Sequence, residues 1–228
     1  MTDGTLGRLG AACGIPAVVL SPVGFALIGA AGFGGDPTTP RDDIARAVAR
    51  GSGENVLVGA TIDTLGAVFF VVFAARLWST LRRAEGEPGW LSFVCLGGAL
   101  TAVGASFVDK AAFFAIGFKL GHGLTTDEAV LLTDLSAGSF LLTQTFIGVV
   151  FAGAAAIVSL RWNALPVWIG WSAAAVALVT LIGMVATDIG MLAFMAALVW
   201  MLGTSIYLTV KLAPAVTAAP PPSGRMAE

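Results

Sequence analysis

The feature that most constrains this sequence is a series of long apolar runs separated by short polar segments. A helix of about 20 apolar residues crosses the roughly 30 Å core of a bilayer, and it satisfies its backbone hydrogen bonds internally, as lipid requires. The pattern predicts an all-α fold: a polytopic membrane helix bundle with about six transmembrane helices in residues 1–212. The predicted spans are residues 11–31, 54–77, 90–110, 126–160, 166–184 and 189–211.

Both ends of the chain carry further signals. Arg8 followed by an apolar run could mark a cleaved signal peptide, but a run of about 20 residues is long enough to cross a bilayer and favours an uncleaved first helix. Residues 213–228 include three consecutive prolines and little apolar sequence. This composition predicts a disordered cytoplasmic tail.

Composition excludes several classes of function. The chain is 57% hydrophobic and 11% charged, whereas a soluble domain is about a quarter charged. A net charge of −2 offers no basic surface for nucleic acid. Cys13 and Cys95 fit no ligand spacing, and His122 is the single histidine, so the sequence predicts neither a metal site nor a cofactor. The predicted environment is the lipid bilayer.

The distribution of lysine and arginine predicts the orientation of the bundle. With the N-terminus inside, the cytoplasmic side holds seven basic residues: Arg8, Arg76, Arg82, Arg83, Arg161, Lys211 and Arg225. The opposite side holds five: Arg41, Arg46, Arg50, Lys110 and Lys119. Cytoplasmic loops are enriched in basic residues, so we expect a multi-pass protein of the cell membrane with both termini in the cytoplasm.

Two local patterns predict helices outside the simple hydropathy signal. Residues 41–50 have helical periodicity with grouped charges, which is typical of a short amphipathic helix at the membrane interface. Thr125 followed by Glu128 reads as a capping box at the start of the fourth span. That span is about 35 residues long and is expected to tilt, to kink near Gly138, or to extend beyond the membrane.

The best functional signal is a set of aspartates inside these apolar helices. Asp63 and Asp134 each lie nine residues into a helix that starts from the outer face, which corresponds to a depth of roughly 13 Å. Asp109 and Asp188 would lie above them. An ionisable group at such depth costs a few kcal/mol unless it is paired or hydrated, so the four aspartates are candidate catalytic residues.

Small and polar residues accompany these acids along their helices. Such residues favour close helix packing and avoid lipid, so we expect the stripes to face an acidic cavity in the outer half of the bundle. The predicted stripes are Asn55, Gly59, Asp63 and Gly66; Gly98, Ala102, Ala105 and Asp109; and Asp127, Asp134, Gly138, Thr145 and Ala152. Structural alternatives are a helix cap for Asp188 and an interfacial ion pair of Asp109 with Lys110.

Two resemblances add to this interpretation. Residues 161–171, RWNALPVWIGW, resemble a connection found in multispan bacterial membrane proteins of unknown function. The layout also resembles, more loosely, that of small integral-membrane terpene cyclases, which use carboxylic acids on transmembrane helices to protonate an isoprenoid alkene or epoxide. That resemblance implies that Asp63 and Asp188 would occupy the positions of the acid pair.

The leading hypothesis from the sequence is a membrane-embedded enzyme that uses these acids on a lipid-like substrate, with isoprenoid cyclisation as its most specific form. Burial favours the neutral form of a carboxylic acid, so Asp63 or Asp134 could donate a proton, and aromatic faces could stabilise the resulting cation. The alternatives are a small proton- or cation-coupled transporter, for which a homo-oligomer could complete the pathway, and a non-catalytic membrane partner protein.

Overall fold

The computed structural model describes residues 3–34, 39–51, 53–185 and 190–211. Within these ranges the chain is helical and contains no strand. Its elements are α1 (Asp3–Ala12), α2 (Gly14–Ala30), α3 (Arg41–Arg50), α4 (Glu54–Glu85), α5 (Trp90–Lys119), α6 (Thr126–Thr145), a π-helical segment (Phe146–Ala152), α7 (Gly153–Trp162), α8 (Val167–Gly183) and α9 (Gly190–Lys211).

Five stretches of helix are long and apolar enough to cross a membrane. They are Thr5–Ala30, Glu54–Glu85, Trp90–Lys119, Thr126–Trp162 and Met191–Lys211. The shorter helix α8 is also apolar. The predicted class, an all-α membrane helix bundle, is therefore confirmed, with α8 as its sixth apolar helix. The proposed turn at Asp188 and the tail 213–228 lie outside the described residues.

Several helices are longer than the apolar runs that predicted them. Helix α4 has 32 residues, which at about 1.5 Å per residue reach roughly 48 Å, well beyond the apolar core of a bilayer. Helix α5 continues to Lys119 instead of ending near residue 110. A helix can continue through charged residues where it extends beyond the lipid. Hydropathy therefore located the apolar part of each helix but not the residue at which the helix ends.

The fourth span begins as predicted but is irregular at another position. The Thr125 side chain accepts from the Glu128 backbone and the Glu128 side chain accepts from Thr125, so the capping box is confirmed. The irregularity lies in the π-helical segment Phe146–Ala152, and not near Gly138. There the thiol of Cys95 donates to the carbonyl of Phe151 at 3.4 Å, which gives that carbonyl a partner on α5.

Buried apolar side chains form two clusters, one toward each end of the bundle. The larger cluster contains Phe73, Leu77, Phe151, Ile169 and Trp200. The smaller cluster contains Ile28, Ile44, Val56, Phe113 and Ile116, and its Ile44 comes from the predicted amphipathic helix α3. The polar side chains described below lie on α4 and α5 between the residues of these two clusters.

Candidate functional site: a charged layer inside the bundle

A buried ion pair joins α4 to α5. Lys110 Nζ lies 2.7 Å from Asp63 Oδ2, and the two side chains are 7% and 14% exposed. Asp63 faces the bundle interior, as predicted. Lys110 does not lie at the end of its helix, where the predicted span ended, because α5 continues for nine more residues to Lys119. The pair therefore lies within the bundle.

A second buried carboxylate, that of Asp109, adjoins this pair. Asp109 is 6% exposed and accepts a hydrogen bond from the hydroxyl of Ser136 on α6. The expected ion pair between Asp109 and Lys110 is not formed. Consecutive helical residues point about 100° apart, so Asp109 faces α6 while Lys110 faces α4. We call Asp63, Asp109 and Lys110 the charged layer.

The charged layer borders a cavity of about 90 Å³. Since water occupies about 30 Å³ per molecule in the liquid, this space matches about three waters or a small cation. Hydroxyl groups of Ser21, Ser106 and Thr143 lie on its wall. The cavity thus combines two carboxylates, an ammonium group and hydroxyls within an otherwise apolar bundle.

Phenylalanine rings form much of the remaining wall. Phe25 on α2 stacks on Phe140 on α6 with ring centroids 5.6 Å apart, and Phe140 meets Phe194 on α9 at 5.4 Å. All three side chains are half-buried, so they separate the cavity from the outside of the bundle between α2, α6 and α9. A fourth ring, Phe70, closes the cavity toward the larger apolar cluster.

Glycines bring α2 into direct backbone contact with the part of α4 that carries Asp63. A Cβ atom added to Gly24 would lie 2.5 Å from the carbonyl oxygen of Gly59 and 2.8 Å from Asp63 Cβ. Helices can approach this closely only when the facing residues are small. The contact holds Ser21 and Phe25, on the same helix as Gly24, against the charged layer.

Asp134 lies outside the bundle, so its predicted inward orientation is wrong. Asp134 and Gly138 are exposed, and Asp134 has no hydrogen-bond or ion-pair partner among the described residues. The buried side of α6 instead carries Ser136 and Ser139, and the Ser139 hydroxyl donates to the Ala105 carbonyl at 2.6 Å. Hydrogen bonds from these hydroxyls to α5 fix the rotation of α6 and turn Asp134 away.

The fourth predicted residue, Asp188, lies outside the described residues. Sequence reasoning missed Lys110 and Ser136 as members of the site. The apolar residues that follow Lys110 in α5 were the available signal for its interior position. A serine in an apolar helix gives no comparable signal, because its hydroxyl can also bond to a carbonyl of its own helix.

The charged layer can exchange a proton or hold a small cation, because its two carboxylates outnumber its one ammonium group. The described residues contain no group of three His, Cys, Asp or Glu side chains that could hold a metal ion. Comparison of the chain with protein-family models, curated proteins and solved structures found no match.

Proposed function

We propose that this chain is a small membrane transporter that couples the movement of a proton to that of a small cation. The observation that carries the proposal is the buried Asp63–Lys110 ion pair beside the second carboxylate of Asp109. Ionisable residues within membrane spans are costly and commonly mark ion pathways.

Charge balance within the layer supplies the coupling. When all three groups are ionised, the cavity carries one net negative charge, which either a proton or a monovalent cation can neutralise. Protonation of Asp63 would also release Lys110 from its partner and leave the carboxylate of Asp109 to balance the charge of Lys110. Proton binding and cation binding therefore compete for the same carboxylates, as exchange requires.

The size and the lining of the cavity favour a cation as the solute. A space of about 90 Å³ accommodates an ammonium ion or a metal ion that keeps about two or three waters, and the aromatic rings of Phe25, Phe140 and Phe194 on its wall suit a positive charge. On the side of the larger apolar cluster, Phe151 packs edge-on against Phe70 and Trp200 at 5.4 and 5.6 Å. These rings form the barrier that would have to move during transport.

Exchange is tested in liposomes that contain the purified full chain and an internal pH-sensitive dye. With an acidic interior, each of external ammonium, methylammonium, Na⁺ and K⁺ is added in turn. The transported cation should raise the internal pH, because protons leave in exchange for it, and the signal of protein-free liposomes is subtracted. Asp63→Asn and Asp109→Asn should abolish this signal. Asp134→Asn removes an aspartate of the same helical depth outside the bundle and should leave the signal unchanged.

Equal signals for the wild type and for the two interior variants would overturn the proposal, as would a signal no larger than that of protein-free liposomes for all four cations.

A second candidate, acid catalysis on an isoprenoid, is favoured by the four phenylalanine rings that border the same acids. Asp109 would donate the proton, and the rings would stabilise a carbocation. The substrate would have to enter from the bilayer by displacing Phe25, Phe140 and Phe194. The test is mass spectrometry of membranes supplied with prenylated or epoxidised isoprenoids: a product lost in Asp109→Asn favours this candidate, and its absence for every substrate argues against it.

We infer that the protein lies in the cell membrane with both termini in the cytoplasm. At the end of the bundle that carries α1 and the end of α9, the described basic residues are Arg8, Arg76, Arg82, Arg83, Arg161 and Lys211. At the opposite end they are Arg41, Arg46, Arg50 and Lys119, because Lys110 is interior. Fusion of green fluorescent protein and alkaline phosphatase to the C-terminus should give fluorescence without phosphatase activity, and the reverse result would contradict the orientation.

A further inference from the structure

A second cavity lies at the end of the bundle where α4 and α9 end. Its volume is about 390 Å³, which exceeds that of the cavity at the charged layer. Three basic residues line it, namely Arg76 and Arg83 on α4 and Lys211 on α9, and none of its lining residues within the described chain is acidic. We call it the basic cavity.

None of the three cations of the basic cavity has a carboxylate partner within the described chain, in contrast to Arg82 and Lys119. Arg82 pairs with Glu87 at 2.9 Å, and Lys119 pairs with Glu128 at 3.0 Å. In contrast, Arg83 forms no ion pair or hydrogen bond within the described chain. The Lys211 ammonium lies 5.5 Å from the centroid of the Tyr207 ring and has no ion-pair partner among the same residues.

Arg76 provides a more specific indication of a ligand. Its side chain donates to the Ser79 hydroxyl at 3.1 Å, while its Nε atom is buried without a hydrogen-bond partner in the described part of the chain. The guanidinium group is fixed against α1, since a Cβ atom at Gly7 would lie 3.2 Å from Arg76 Cζ. Burial of an unsatisfied donor on a charged group is unfavourable, so a ligand that accepts hydrogen bonds would relieve this cost.

The walls of the cavity specify the rest of the ligand. Tyr207 adds a hydroxyl donor, whereas Leu165 and Leu208 are apolar. Arginine pairs well with phosphate oxygens, often through two parallel hydrogen bonds. Basic pockets between transmembrane helices on the cytoplasmic side are suited to anionic lipid head groups. We propose that the basic cavity binds the phosphate of an anionic phospholipid head group, with its acyl chains along the adjacent apolar helix surface.

This inference does not depend on the proposed transport function. It is tested by native mass spectrometry of the full chain in micelles that contain equal amounts of phosphatidylglycerol and phosphatidylcholine. The wild type should retain phosphatidylglycerol preferentially. In the double variant Arg83→Gln/Lys211→Gln we expect the preference to fall about fivefold for each cation removed, because each cation attracts the anionic head group. Both side chains are exposed, so we expect the variant to fold.

Arg161→Gln is the matched control, because Arg161 is exposed near the same membrane surface but does not line the cavity. It should keep the wild-type preference. A loss in Arg161→Gln as large as the loss per cation removed in the double variant would show a general charge effect and would overturn the site, as would an undiminished preference in the double variant.

Competition with inorganic phosphate distinguishes a bound lipid from a bound free anion. Phosphate at millimolar concentration should not displace the bound phosphatidylglycerol, because the free ion lacks the acyl chains that add apolar contact. Displacement at that concentration would show that the cavity binds phosphate but that its occupant is not a lipid head group.

Discussion

The Asp63–Lys110 ion pair places two opposite charges in contact inside the bundle, so each side chain affects how much the other contributes to stability. Removal of either partner leaves the other charge buried without its ion-pair partner, which typically costs about 3 to 5 kcal/mol. Removal of both can be nearly neutral, because neither charge then needs to be desolvated. The pair is therefore best understood by changing both residues together.

We predict that Asp63→Asn and Lys110→Gln each lower the free energy of unfolding by several kcal/mol, and that the double variant recovers a large part of this loss. Tryptophan-monitored unfolding in detergent micelles provides the measurement, analysed as a double-mutant cycle. Asp127→Asn, which breaks an exposed ion pair with Arg41, is the control and should cost at most about 1 kcal/mol. Additive effects of Asp63→Asn and Lys110→Gln would mean that the two side chains do not interact.

Asp134 presents the opposite situation, because its carboxyl group is exposed on the outside of an apolar helix bundle. Leu131 and Leu135 beside it are 69% and 49% exposed, as expected for a surface that faces lipid. We predict that Asp134→Leu raises stability by up to about 2.5 to 3.5 kcal/mol, the range found for an aspartate in the middle of a spanning helix. Thermal unfolding in phospholipid nanodiscs measures this effect. A clear loss of stability would instead indicate that Asp134 contacts another chain, such as a second copy of this protein.

At the scale of the elements, the contact between α2 and α4 determines the position of one wall of the cavity. We predict that Gly24→Ala destabilises the protein and lowers cation-dependent proton flux, because the added methyl group would meet the Gly59 carbonyl and push α2 away from Asp63. Gly104→Ala is the matched control: a Cβ atom there has no neighbour within 4 Å, and alanine favours a helix over glycine by about 1 kcal/mol. Unfolding and liposome assays of both variants provide the comparison.

If Gly24→Ala is as stable and as active as Gly104→Ala, the close approach of α2 and α4 does not position the site.

The helices themselves could be predicted from the sequence, but the rotation of each helix only in part. For α4 and α5 the small residues and the aspartates occupy the same stripe, so Asp63 and Asp109 were correctly expected to face inward. On α6 two polar stripes compete, one through Asp134 and one through Ser136. Hydrogen bonds from the serine hydroxyls to α5, to the Asp109 carboxylate and the Ala105 carbonyl, decide between them. These bonds depend on the neighbouring helix, which periodicity within a single helix does not describe.

The ion pair and the π-helical segment could not be predicted for a related reason. Lys110 adjoins Asp109 in sequence, but its partner Asp63 lies on another helix, so the pairing depends on how α4 and α5 are arranged in space. The π-helical segment carries no Pro to mark it. Both features arise from packing between helices and not from local sequence preference.

At the scale of the whole molecule, the charged layer is enclosed between two apolar clusters of unequal size. The larger one includes the fully buried rings of Phe73 and Phe151 and lies toward the basic end of the bundle. The smaller one lies toward α3. A transporter must open its site to one side at a time, and the smaller cluster is the weaker barrier because fewer apolar side chains have to separate.

We therefore predict that the cavity reacts with a small, membrane-impermeant, cationic thiol reagent from the α3 side. In a background with Cys13 and Cys95 replaced by alanine, Ser21→Cys places a thiol on the cavity wall and should be labelled in vesicles that expose the α3 side. Ser205→Cys is the matched control: Ser205 is fully buried, and its hydroxyl donates to the Ala11 carbonyl at 2.7 Å, so it should stay unlabelled. Labelling of Ser21→Cys only in vesicles of the opposite orientation would show that the bundle opens on the side of the larger cluster. The rings of Phe70, Phe151 and Trp200 would then not be the stronger barrier.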